Sequence, residues 1–244
     1  MTADANRQRL GALLTYLRTT LPGMHIRVPP EHGPLTLEVS VGLLHGALVQ
    51  ASAVYDLGRT PNAEAAVVNL RSLLEVWSDL VYLLRQGDPK TNAIDYVRFS
   101  LKELIAHVEE TGMFDADLPT LRAAEATFLQ EHPEIVGRPA PKGRYWSGIN
   151  RTEQLRRVAR LLGGGEAWTV RFYKTQSWDA HHVMKYLRDI RTTHDVSGLV
   201  EVGVGFAGDP SVMGERLAGL AEALLRLGWT IFCEAFNLSE YQYE

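Results

Sequence analysis

The stretch Val67-Val68-Asn69-Leu70-Arg71-Ser72-Leu73-Leu74-Glu75-Val76-Trp77-Ser78-Asp79-Leu80-Val81-Tyr82-Leu83-Leu84 reads as a helix that is apolar around most of its circumference. One narrow stripe interrupts the apolar surface: Arg71, Glu75, Ser78 with Asp79, and Tyr82. Residues four apart share a helix face, so Arg71 and Glu75 can pair. A helix this apolar belongs largely inside a helical protein. The stripe then has two readings. It lines an interior polar pocket, or it is the helix's one solvent face, carrying an exposed pair worth about 0–1 kcal/mol.

Working outward, the helical period continues almost throughout. A first helix is expected over 4–21, stopped by Pro22. The segment 22–34, with four prolines and two glycines, is a loop. A second helix covers 35–57. The third opens with Thr60 as N-cap and Pro61 in the first turn, and the fourth repeats this with Asp88 and Pro89 and ends at Gly112. A fifth runs over 117–132, and a Pro/Gly-rich loop follows at 133–145. Asn150-x-x-Glu153 is a variant capping box opening a sixth helix, which ends at Gly163-Gly164-Gly165. A seventh spans 166 to about 188. Residues 199–206 alternate Val with Glu and Gly and suggest a short extended segment. Asp209-Pro210 starts the last helix, and the end after Tyr241 reads as frayed. The expectation is an all-α chain: one helical-bundle domain over 1–244 with seven to eight helices.

Composition agrees, with 45% hydrophobic and 22% charged residues in 244, the balance of a globular chain with a sizeable core. No uninterrupted apolar run is long enough to suggest a membrane span, and the first residues lack the apolar core of a signal peptide. A lone cysteine, Cys233, sits in an apolar stretch and reads as a buried thiol, which together with the rest points to a reducing, cytoplasmic setting.

Charge is unevenly distributed. Residues 138–191 hold 12 Lys/Arg against 4 Asp/Glu, a net +8, in a chain whose overall formal charge is −4. Such a segment suits an anionic partner, RNA or another anionic ligand, or else pairs with the acidic remainder of the same protein.

Within that basic segment Tyr173, Ser177 and His181 fall at i, i+4 and i+8, on one helix face. Ser177 and His181 could hydrogen-bond, but no Gly-x-Ser-x-Gly elbow or third triad member accompanies them. His181 and His182 point about 100° apart on a helix and suit no shared metal. No His-Glu-x-x-His, Cys-x-x-Cys or Asp-rich loop is present, so neither metal nor cofactor is expected.

Arg188-Asp189-x4-His194 resembles the signature of HEPN-type ribonucleases, in which two all-helical subunits join their Arg/His motifs across a dimer interface. The resemblance implies a homodimer that cleaves RNA without metal, as a toxin or antiphage effector. His194 would be the general acid or base, Arg188 would stabilise charge on the phosphate, and Asp189 would orient one of them. The bland reading of the same residues is a helix C-terminus whose cations meet the dipole.

A second, broader resemblance rests on Arg71-x3-Glu75, Tyr145-Trp146-Ser147-Gly148 and Tyr173-x3-Ser177-x3-His181. These look like an uncharacterised bacterial family of helical proteins. That resemblance implies that Arg71, Glu75, Tyr173, Ser177 and His181 line one pocket and supplies no reaction. The residue types themselves, Arg for bidentate phosphate recognition and Tyr, Ser and His for oriented hydrogen bonds, suit a small anionic ligand or nucleotide held without turnover. The two resemblances name different sites.

Overall fold

Helix α3, Ala66–Arg85, is the centre of the computed structural model. The structure describes residues 5–58, 60, 65–112, 117–137, 145–163, 170, 173, 190–194, 200–204 and 210–243. The fold is an all-α helical bundle. Before α3 come α1 (Ala5–Thr20) and α2 (Pro34–Leu57). After it come α4 (Pro89–Thr111), α5 (Leu118–Glu131), α6 (Arg151–Leu161) and α7 (Pro210–Ala235). Val170 and Tyr173 are also helical.

The apolar circumference of α3 is accounted for by its neighbours. It packs on α2, α7, α6 and α4, and Leu70, Leu73, Leu74, Trp77 and Leu80 are essentially sealed from solvent. α7 crosses α1, α2 and α3 and supplies Trp229, Phe232 and Phe236 to the same core. Ile105, Val108 and Phe128 lie outside that core, where α4 packs on α5. By length and composition α2 could cross a membrane, contrary to the expectation from its sequence. Here one face of it, including Leu43, Leu44, Ala47, Ala51 and Val54, is buried against α3, α4 and α7.

The described caps follow local chemistry. Asp88 accepts from the Thr91 backbone N–H at 3.1 Å, and Asn150 from that of Glu153 at 2.9 Å, closing the first turns of α4 and α6. The hydrogen bond from Thr91 holds the Asp88 carboxyl below its ordinary pKa. Thr60 Oγ1 and N–H both bond to the Leu57 carbonyl, at 2.8 and 3.0 Å, finishing the turn after α2; the turn that Thr60 is expected to cap, 61–64, lies outside the described residues, and α3 is described from Ala66.

Two further expectations are corrected. Residues Ile190–His194 form β1 of an antiparallel hairpin with β2, Val200–Val204, in register Thr192 opposite Val202. The β-branched Ile190, Thr192, Thr193, Val200, Val202 and Val204 favour a pleated strand over a helical turn. His194 is therefore on a strand, not at a helix end; Arg188 and Asp189 lie outside the described residues. The extended segment expected near 199–206 is β2.

The C-terminus is not frayed at Tyr241. Its carbonyl accepts from Tyr16 Oη and Trp229 Nε1, both at 2.8 Å, and the Tyr243 ring lies 5.0 Å from that of Tyr16. Cys233 is fully buried, and burial pushes its thiol pKa up to about 12.

Where α2 ends, the backbone of Gly58 meets that of Gly214 on α7 so closely that a Cβ on Gly214 would fall 2.1 Å from the Gly58 oxygen. Gly42, on the exposed side of α2, has nothing within 4 Å of its would-be Cβ. Gly214→Ala is expected to destabilise by about 1–3 kcal/mol. Gly42→Ala is expected to stabilise by about 0.5–1 kcal/mol through helix propensity alone. Urea unfolding of the two variants checks both signs.

Candidate functional site

The polar stripe of α3 faces inward. Ser78, Asp79 and Tyr82 are buried, while Arg71 and Glu75, about two turns and one turn nearer the start of the helix, keep 21% and 30% of their side chains exposed. The stripe thus becomes more exposed toward one end, and α6 with the turn at 145–150 closes over the buried part.

Asp79 is the deepest charge. Arg151, the first residue of α6, reaches it with Nη1 at 2.6 Å from Oδ1 and Nη2 at 3.3 Å from Oδ2. This is a two-pronged pairing that matches planar guanidinium to planar carboxylate. Gln154 Nε2 and Trp146 Nε1 each donate to Oδ1 at 2.8 Å. Arg151 Nη1 also lies 3.0 Å from Gln154 Oε1, 3.1 Å from Ser78 Oγ and 3.3 Å from the Glu75 carbonyl. Burial works against the charge on Arg151, but Asp79 beside it more than offsets this and holds its pKa above the ordinary value. A desolvated ion pair is tolerable when most of its other donors and acceptors are satisfied; here Arg151 Nε is the buried donor left without a hydrogen-bond partner among the described residues.

Aromatic rings complete the wall. The Trp146 indole meets Tyr82 and Tyr96 edge-on, at 5.5 and 5.4 Å. Burial, with Asp79 adding to it, pushes the Tyr96 phenol up to about 12. Arg151 lies 4.9 Å from the centre of the Tyr145 ring, and the Arg71 guanidinium lies 5.1 Å from the centre of the Tyr173 ring, a pair of cation–π stackings along one seam.

At the exposed end, Arg71 Nε donates to Glu75 Oε1 at 3.2 Å and Arg71 Nη2 to Tyr173 Oη at 3.4 Å. Burial opposes the Arg71 charge, yet Tyr173 and Glu75 raise its pKa on balance. Tyr173 is also raised, first by burial and then by Glu75. Both groups keep their protons at neutral pH, so this end of the seam offers fixed positive charge and phenolic donors. Of the groups expected to share the pocket, Arg71, Glu75 and Tyr173 are together; Ser177 and His181 lie outside the described residues. Among the described residues no cluster of three or more His, Cys, Asp or Glu could hold a metal.

Arg151 and Gln154 escaped the reading of the sequence. The signal was present: they fall three apart on the face of α6 that also carries Leu155 and Val158, so two polar residues sit in an apolar stripe. The basic run around them made Arg151 look like surface charge. Trp146 was noted only within a motif and given no role.

No known protein family, curated protein or solved structure matches this chain. The two resemblances therefore extend no further than the residues quoted for them.

Removing Arg151 leaves Asp79 buried and unpaired, whereas Arg71 sits at a partly hydrated end. Arg151→Ala is expected to cost about 3–5 kcal/mol, and Arg71→Ala less than about 1 kcal/mol. Chemical denaturation of both beside wild type checks this; equal costs would mean that the seam is not sealed.

Proposed function

We propose that this protein is a helical-bundle binding module that takes a small anionic ligand, a nucleotide or similar phosphate, at Arg71, Glu75 and Tyr173. One observation carries the reading: Arg71 is a permanently charged, partly exposed guanidinium seated over an aromatic ring at the outer end of a polar seam whose inner end is filled. Guanidinium recognises phosphate or carboxylate oxygens in a planar, two-pronged fashion. The Tyr173 phenol supplies an oriented donor beside it. The rigid Asp79–Arg151 pairing beneath fixes the α3 face from which Arg71 projects, so the site is formed before a ligand arrives.

Among the described residues at this end of the seam, the shifts at Arg71 and Tyr173 favour a fixed cation and a protonated phenol at neutral pH, which suits anion binding. Titrating wild type and Arg71→Gln with ATP and with inorganic phosphate, read by calorimetry and by thermal stabilisation, tests the proposal. Arg71→Gln is expected to weaken binding by about tenfold or more, the loss of one charge-assisted contact. Unchanged affinity in Arg71→Gln, or no binding by wild type, would overturn it.

A second reading is a metal-independent, HEPN-like endoribonuclease acting as a homodimer through Arg188, Asp189 and His194. A specific observation favours an RNA partner. α6 carries four arginines and one glutamate, and Arg156, Arg157 and Arg160 all gather on Glu153 while remaining 40–56% exposed. An exposed helix face with excess guanidinium charge suits a phosphodiester backbone. On this reading single-stranded RNA is cleaved in excess EDTA to 2′,3′-cyclic phosphate ends and His194→Ala abolishes cleavage. Intact RNA with folded wild-type protein would remove the reading.

A further inference from the structure

The end of α7 and the loop before α2 line a half-open cavity of about 480 Å³, well away in sequence from the seam on α3. It lies in the size range of small-molecule sites, ~300–1,000 Å³. Both walls are stiff. Pro29 and Pro30 restrict the loop, and the N–H groups of His32 and Gly33 both return to the Pro29 carbonyl, at 3.0 and 3.4 Å. On the other side α7 ends in a Schellman turn. Asn237 takes the left-handed conformation at φ 56°, the Leu238 N–H reaches the Cys233 carbonyl at 2.8 Å, and that of Asn237 reaches the Glu234 carbonyl at 3.4 Å.

The lining is dipolar. Arg27 and His25 come from the loop, Glu31 from its far end and Glu240 from beyond α7. Arg27 forms no ion pair with either carboxylate among the described residues, although all three line the same space. The negative end of the α7 dipole adds to the acidic side. The same lining includes the apolar Val28, Phe236 and Leu238. Beside the lining residue Phe236, and not itself part of the lining, is a buried polar group. His32 is 92% buried, its ring centre 5.2 Å from that of Phe236, and its Nδ1 has no hydrogen-bond partner among the described residues. Buried nitrogens left without a partner are uncommon in a settled core.

We infer that this cavity binds a small zwitterion of the amino-acid type, with its carboxylate on Arg27, its ammonium on Glu31, Glu240 and the α7 end, and an apolar side chain against Phe236 and Leu238. A lining that carries a guanidinium and two carboxylates beside apolar side chains matches that ligand class. A simple anion or a simple amine would leave one half of the lining unmatched.

The test uses L-phenylalanine, L-phenylalaninamide and N-acetyl-L-phenylalanine as probes, with calorimetry and thermal stabilisation of wild type, Arg27→Gln, Glu240→Gln and Arg71→Gln. The free amino acid is expected to bind, with the amide and the acetylated form each about tenfold weaker or worse. Arg27→Gln should erase the preference over the amide, and Glu240→Gln should reduce the preference over the acetylated form. Arg71→Gln should change neither, which separates this site from the one on α3. Arg27 and Glu240 are exposed, so these variants keep the fold. Equal binding of the three probes, no binding at all, or binding indifferent to both charge removals would overturn the inference.

Discussion

The pairing of Asp79 with Arg151 is the constraint on which the candidate site depends. A carboxylate in the middle of an apolar helix must be matched where it stands, because its desolvation is otherwise prohibitive. Arg151 does this from the first turn of α6, 72 residues further along the chain. Once that fork is made, α6 has one orientation against α3, Gln154 falls beside the same carboxylate, and the turn before α6 carries Trp146 into contact with Asp79, Tyr82 and Tyr96. Replacing the pair with hydrophobic residues of similar volume could leave the bundle as stable. Its contribution is to specify how the elements meet.

That specification reaches the outer end of the stripe. Glu75 is touched from both directions: its carbonyl by Arg151 and its carboxylate by Arg71. Arg71 in turn is stacked on Tyr173. The gradient from a sealed ion pair to a half-exposed one along two turns of a single helix separates a structural half from a half that can meet a ligand. The cavity at the end of α7 shares no lining residue with this network and has a different charge pattern.

Much of this was legible in the residues. Charges on an apolar helix, Arg71, Glu75 and Asp79, mark a polar stripe, because helical spacing alone puts them on one face; that the stripe turns inward depends on α6. The caps at Asp88 and Asn150 were legible because capping is a local interaction. What was not legible depended on partners distant in sequence. Arg151 looks like one of a dozen surface cations until Asp79 is placed opposite it. At 190–194 the helical period carried over from the segment before it outweighed the β-branched residues, and strand pairing with 200–204 decides the matter. Tyr241 looked like a free end because the groups that hold it, Tyr16 and Trp229, are 225 and 12 residues away.

The central claim is that the stripe of α3 is sealed by α6 and the 145–150 turn, and the Trp146 indole reports on it most directly. Its Nε1–H donates to a buried carboxylate at 2.8 Å in the wall of the seam. Hydrogen–deuterium exchange of the assigned Trp146 indole N–H, followed by NMR, should show strong protection that is lost when Arg151 is replaced by alanine. Rapid exchange in the wild-type protein, at the rate of an exposed tryptophan, would contradict the account.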